Sequence, residues 1–154
     1  MDALRLKKYF SATALSAVLA VLSITSYASK TFIFYPKQLK WVAISNGKVI
    51  KSGKASGGSG YCRDIKRSCR TPTGTYSVIS MRGADCRSSR YPLGGGGAKM
   101  PYCMFFTPLY AIHGSYELPN YNASHGCIRV SPAAAKWLQH NFIRIGTTVV
   151  VKPY

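Results

Sequence analysis

The sequence predicts a mainly β domain with one helix. Short stretches rich in β-branched and aromatic residues recur along the chain, separated by glycine-containing turns. A single segment, beginning at Ser131, carries a helix start signal followed by alanines and large apolar residues. A hydrophobic content of 47% over 154 residues suffices for the core of one domain.

Each element has its own justification. Thr31 to Tyr35 is the first expected strand. In the second, Leu39 to Ser45, Leu39, Trp41 and Ala43 alternate against Lys40, Val42 and Ile44. Asn46-Gly47 is a strong hairpin turn, and Lys48 to Lys51 returns as a third strand. Ser56 to Gly60 is a Gly/Ser loop, and Cys62 to Cys69 a short basic loop. Thr75 to Met81 is expected to form one strand. Gly83 to Ala98, with glycine at 94 through 97, is expected to be irregular. Met104 to His113 reads as one buried strand, and residues 127–130 as a short one. Ser131 caps the helix, Pro132 occupies its first turn, and Ala133 to Phe142 continue it. Gly146 then precedes a last strand, Thr147 to Lys152.

Residues 1–28 follow a different pattern. Arg5, Lys7 and Lys8 precede a mostly apolar run from Phe10 to Ile24, and Ser26-Tyr27-Ala28 follows. That order is an export signal, with cleavage expected after Ala28 and the folded domain at 29–154. Ser11, Thr13, Ser16 and Ser23 interrupt the run, so a retained anchor, which needs about 20 apolar residues, is the lesser reading. Membrane contact is expected only through this segment.

The chain carries 21 Lys+Arg against 4 Asp+Glu, a net +17. Without residues 1–28 the acids are Asp64, Asp85 and Glu117, and the net charge is +15. Such a surface attracts polyanions. Export argues against nucleic acid and leaves the cell wall, its acidic stem peptides and lipid head groups.

An oxidising compartment favours disulfides, and the chain has an odd number of cysteines: Cys62, Cys69, Cys86, Cys103 and Cys127. Two bridges and one free thiol are expected. Four cysteines allow three pairings. The local one, Cys62–Cys69 with Cys86–Cys103, is preferred because the first pair closes a tight basic loop and the second ties the glycine-rich stretch to the strand leading to His113.

The segment His113-Gly114, then Ser124-His125-Gly126-Cys127-Ile128-Arg129, carries the chemistry. A thiol becomes a good nucleophile when an imidazole takes its proton and holds the thiolate as an ion pair. Gly126 removes bulk where a substrate carbonyl must approach, and its N–H, with that of Cys127, can stabilise an oxyanion. Three other readings stay open on the residues alone. An inert buried thiol leaves the two histidines and the glycine unexplained. A zinc site of His113, His125 and Cys127 lacks a nearby fourth ligand. A disulfide to Cys127 would leave free a different thiol, with no histidine beside it. His140 reads as a surface residue of the helix.

The His113-Gly114…Ser124-His125-Gly126-Cys127 pattern resembles the signature of the L,D-transpeptidase catalytic domain, the YkuD-like family. Thr71-Pro72-Thr73-Gly74 resembles the family's turn into a strand, and Met100-Pro101-Tyr102 the segment running into its first histidine. The resemblance implies an L,D-transpeptidase-type β-sandwich with one helix after the cysteine motif. It implies Cys127 as nucleophile and His113 as general base, oriented by backbone near Gly114, with His125 the rival base. Ser124, His125 and Gly126 would build the oxyanion side, Arg129 would hold a substrate carboxylate, and Thr71 and Tyr102 would be pocket walls. The implied reaction cleaves a wall stem peptide between its diamino acid and D-Ala through a thioester, then transfers the acyl group to an amine. The acceptor is another stem or an envelope protein's lysine. Resolution by water, an L,D-carboxypeptidase, is the near alternative. A non-catalytic basic envelope module and a cysteine peptidase of another fold are the distant ones. No cofactor or metal is expected, and the protein is expected to be a monomer in the periplasm or cell envelope.

Overall fold

The structure is a computed structural model, and it describes residues 29–154. The export-signal expectation for 1–28 lies outside the described residues. The strands are β1 (Lys30–Tyr35), β2 (Lys40–Ser45), β3 (Lys48–Ser56), β4 (Gly74–Ser77), β5 (Ser80–Met81), β6 (Met104–Phe105), β7 (Ala111–Gly114), β8 (Ile128–Val130) and β9 (Thr148–Val151). Helix α1 (Pro132–Trp137) continues as a π-helical turn, Leu138–Phe142. Among the described residues no helix is long and apolar enough to cross a membrane.

The strand order is β4-β9-β1-β2-β3-β8-β7-β6-β5. The β1–β9 and β7–β8 pairs are parallel, the others antiparallel. β3 serves two halves: residues 48–54 pair with β2, while Ala55 and Ser56 pair with β8. The order begins at β4 and ends at β5, which Val78 and Ile79 alone separate in the chain. One continuous segment therefore forms both ends, and the sheet folds over its own apolar face as a sandwich.

Phe32, Phe34, Trp41, Val149 and Val151 enter the core from one half, and Met104, Ile112, Ile128 and Val130 from the other. Ala135, Leu138 and Phe142 of the helical segment join them. Trp41 stacks on Phe32 with ring centroids 5.9 Å apart, and Trp137 lies 6.5 Å beyond it. Each such side chain, fully buried, contributes roughly 1.5–3 kcal/mol. Ser131 caps the helix as expected, its Oγ accepting from the Ala134 N–H at 3.2 Å.

Three expected strands differ. Thr75–Met81 is two strands because the segment changes partner in its middle: the Val78 N–H goes to Thr147 O and the Ile79 N–H to Phe105 O. Met104–His113 is a hairpin, β6 and β7. Thr107 Oγ1 accepts from the N–H groups of Leu109 (3.2 Å) and Tyr110 (2.9 Å), and Pro108 has no N–H to give to a ladder. The third strand runs on through Gly53 to Ser56. A Cβ at Gly53 would lie 2.8 Å from Trp41 Nε1, so a glycine here lets the indole pack flat on the strand.

Candidate active site

β7 and β8 lie side by side and parallel, with Ile112 opposite Ile128 and His113 opposite Arg129. Both isoleucines are fully buried in the core. By strand alternation His113, Arg129 and Cys127 face the opposite side, and all three line a cavity of about 520 Å³. Sheet pairing thus brings together residues that are 14 apart in sequence.

His113 is buried, and its Nδ1–H donates to Gly114 O at 2.8 Å. That bond assigns the tautomer and leaves Nε2 unprotonated. Gly114 is wedged between Pro101 and Pro132; an added Cβ would lie 3.0 Å from each. Gly114 therefore orients the imidazole from beneath and does not itself line the cavity. Cys127 is the free cysteine and is partly exposed. Its Sγ accepts from the Ala111 N–H at 3.5 Å. The structure pairs Cys62 with Cys69 and Cys86 with Cys103.

Burial, with a smaller push from the Arg129 charge, lowers the His113 pKa from 6.5 to about 4, against a raising contribution from the Gly114 bond. Burial pushes the Cys127 thiol up, opposed by the Ala111 N–H and by Arg129. Both shifts favour the uncharged forms near neutrality, a thiol and an imidazole. Neither shift favours the preformed ion pair that the sequence suggested.

The turn holding Cys127 is set by Ser124. Its Oγ accepts from the Gly126 N–H at 3.0 Å and donates to Cys127 O. The Gly126 N–H, one of the two expected oxyanion donors, is thus already engaged. Gly126 has φ +120°, and an added Cβ would strike the Tyr110 ring at 2.2 Å. Backbone conformation and Tyr110 both require glycine here. The Gly/Ser loop braces the turn: the Ser124 N–H donates to Gly57 O and the Ser59 N–H to Ser124 O, each at 2.9 Å.

His125 is clamped between two loops. Its Nε2 is 2.7 Å from Asp64 Oδ2, on the Cys62–Cys69 loop, and its ring stacks on Tyr91, centroids 4.0 Å apart, on the segment between Cys86 and Cys103. These contacts make it a wall of the cavity. Cys62, Asp64 and His125 have donor atoms close enough to hold a metal ion, but Cys62 is in a disulfide. Arg129 reaches Glu117 at 3.9 Å.

Two expected wall residues lie elsewhere. Tyr102 sits in a left-handed turn (φ +57°) and packs edge-on against the exposed His140, 5.8 Å away, outside the cavity lining. Thr71 is fully buried and its Oγ1 accepts from the Gly58 N–H at 3.0 Å, pinning the Gly/Ser loop. Sequence reasoning missed Asp64, Tyr91, Tyr110 and the cationic rim of the glycine-rich segment. Asp64 had a faint signal, as one of only three acids after residue 28.

The family model for the L,D-transpeptidase catalytic domain matches residues 30–151. This chain belongs to that family. Among solved structures, an L,D-transpeptidase from Xylanimonas cellulosilytica is similar over 82% of this chain and 62% of its own, at 31% identity and TM-score 0.68. An L,D-transpeptidase from Mycobacterium smegmatis is 19% identical over 82% of this chain and 59% of its own, with TM-score 0.67. L,D-transpeptidase 3 from Mycobacterium tuberculosis, solved with a faropenem-derived adduct, is 21% identical over 82% and 61%, with TM-score 0.66. The latter two similarities show the fold. The chain spans about three fifths of the length of these relatives. No curated protein sequence matches it. The β-sandwich with one helix after the cysteine motif is thus this L,D-transpeptidase domain's fold.

Proposed function

We propose that this L,D-transpeptidase domain acts on peptidoglycan stem peptides at the cell envelope, with Cys127 as nucleophile and His113 as general base. The observation that carries the reading is that a free thiol and a buried imidazole, its Nδ1 tied to Gly114 O, line one cavity. Cys127 Sγ attacks the carbonyl carbon between the diamino acid and D-Ala, and its proton passes to His113 Nε2. The Cys127 N–H steadies the developing oxyanion. As the C–N bond breaks, His113 returns the proton to the departing D-Ala amine, leaving a thioester. An acceptor amine then attacks the thioester, loses a proton to His113, and Cys127 leaves as the thiol. The acceptor is a second stem, giving a 3-3 cross-link, or an envelope protein's lysine.

Incubation with tetrapeptide wall fragments and mass spectrometry tests the reaction. Loss of D-Ala with a cross-linked dimer is expected. A trimmed tripeptide alone would reassign the chain as an L,D-carboxypeptidase, and unchanged fragments would overturn the proposal. Because a relative carries a faropenem-derived adduct, faropenem is a direct probe of the thiol.

A further inference from the structure

Cations ring the cavity beside Cys127. Arg129 sits at its floor, Arg67 on the Cys62–Cys69 loop, Arg82 just after β5, and Arg87, Arg90 and Lys99 on the segment between Cys86 and Cys103. Glu117 is the one acid among the lining residues, and its side chain is 88% exposed, 3.9 Å from Arg129. Asp64 is engaged by His125.

Three of the rim guanidinium groups are held by neutral partners. Arg87 Nη1 donates to Gly97 O at 3.0 Å, Arg90 lies over the Tyr91 ring at 5.7 Å, and Arg82 over Phe105 at 5.9 Å. These contacts fix position without cancelling charge. A concave surface with unneutralised, oriented guanidinium groups favours carboxylates, by long-range attraction and by charge-assisted hydrogen bonds. A carboxamide keeps a carboxylate's shape but lacks its charge and one acceptor oxygen.

Resting on the reading that this cavity takes stem peptides, we propose that it selects stems whose side carboxyls are free over the same stems with those carboxyls amidated. Arg87, Arg90 and Lys99 read the carboxyls of the outer part of the peptide. Arg129, opposite His113 in the sheet, serves the carboxyl nearest the scissile bond. The class of substrate is thus a polyanionic, unamidated stem peptide.

Binding decides this apart from turnover. The Cys127→Ala protein, which cannot consume its ligand, is titrated calorimetrically with a tetrapeptide diacid and with the corresponding diamide. The diacid is expected to bind about tenfold tighter at low salt, a gap on the order of 1.4 kcal/mol, and the gap should narrow as salt screens the rim. Equal affinities, a tighter diamide or no measurable diacid binding would overturn the proposal. In an Arg90→Gln, Lys99→Gln protein, altered at two exposed positions, the ratio should fall to about threefold or less; an unchanged ratio removes both residues from this role. If the diacid binds selectively to Cys127→Ala but the unmodified protein never turns it over, the transpeptidase reading fails while the selection stands.

Discussion

At the residue scale, burial favours the uncharged forms of both His113 and Cys127. Cys127→Ala should abolish turnover and the faropenem adduct while leaving the melting temperature nearly unchanged, since this thiol contributes chemistry more than packing. Intact-mass spectrometry checks it, and an adduct on the variant would displace Cys127 from its role. His113→Gln should slow acylation by a factor on the order of 10²–10⁴, as loss of a general base does. If His125→Gln produces that loss instead, the base is His125. The acid limb of the acylation rate should lie near pH 4 rather than 6.5, because His113 stays unprotonated until about 4. Stability should follow the same window. The unfolded chain takes up the proton near 6.5 and the folded one near 4, so stability is fully present above 6.5 and is lost as pH falls toward 4. That loss is on the order of 3 kcal/mol. Melting curves of the His113→Gln protein should be flatter across that interval.

At the scale of elements, two loops and a turn position the site. Asp64 and Tyr91 approach His125 from different loops, each within a disulfide-bridged segment. Asp64→Asn should lower kcat/KM about 3- to 10-fold, mainly through KM, with little change in melting temperature, because the pair is partly exposed and shapes a wall. A loss confined to kcat would instead give His125 a direct part in proton transfer. Gly126→Ala should be far more damaging. A Cβ at φ +120° and 2.2 Å from Tyr110 costs about 1–3 kcal/mol and displaces the adjoining thiol. Thermal melts and faropenem acylation together separate those effects.

Across the whole molecule, closure and charge oppose one another. The sheet begins and ends on one continuous segment, so the core is wrapped on both sides. Against this stands a net +15 on residues 29–154, which repels itself most strongly around the cationic cavity. Disulfides cross the loops that carry much of that charge, with sequence separations of 7 and 17. Removing the longer bridge by Cys86→Ser with Cys103→Ser should cost about 3 kcal/mol by the chain-entropy argument. It should also free Tyr91 from His125. Calorimetric melts at low and high salt measure it, and the deficit should shrink as salt screens the loop.

By itself the sequence determined what is local. The helix start follows from Ser131-Pro132, the first hairpin from Asn46-Gly47, and the disulfide pairing from loops short enough to close. The residues His113-Gly114 and Ser124-His125-Gly126-Cys127 carried the family resemblance, because each of these motifs is contiguous in sequence. The tertiary structure decided what depends on distant partners. It broke Thr75–Met81 and Met104–His113, since a strand ends where its hydrogen-bonding neighbour changes. It moved Thr71 and Tyr102 out of the cavity wall and brought in Asp64, Tyr91 and Tyr110. It also set the burial that favours the uncharged thiol and imidazole. Desolvation depends on how many atoms from remote parts of the chain surround a group, and no pattern of neighbouring letters records that number.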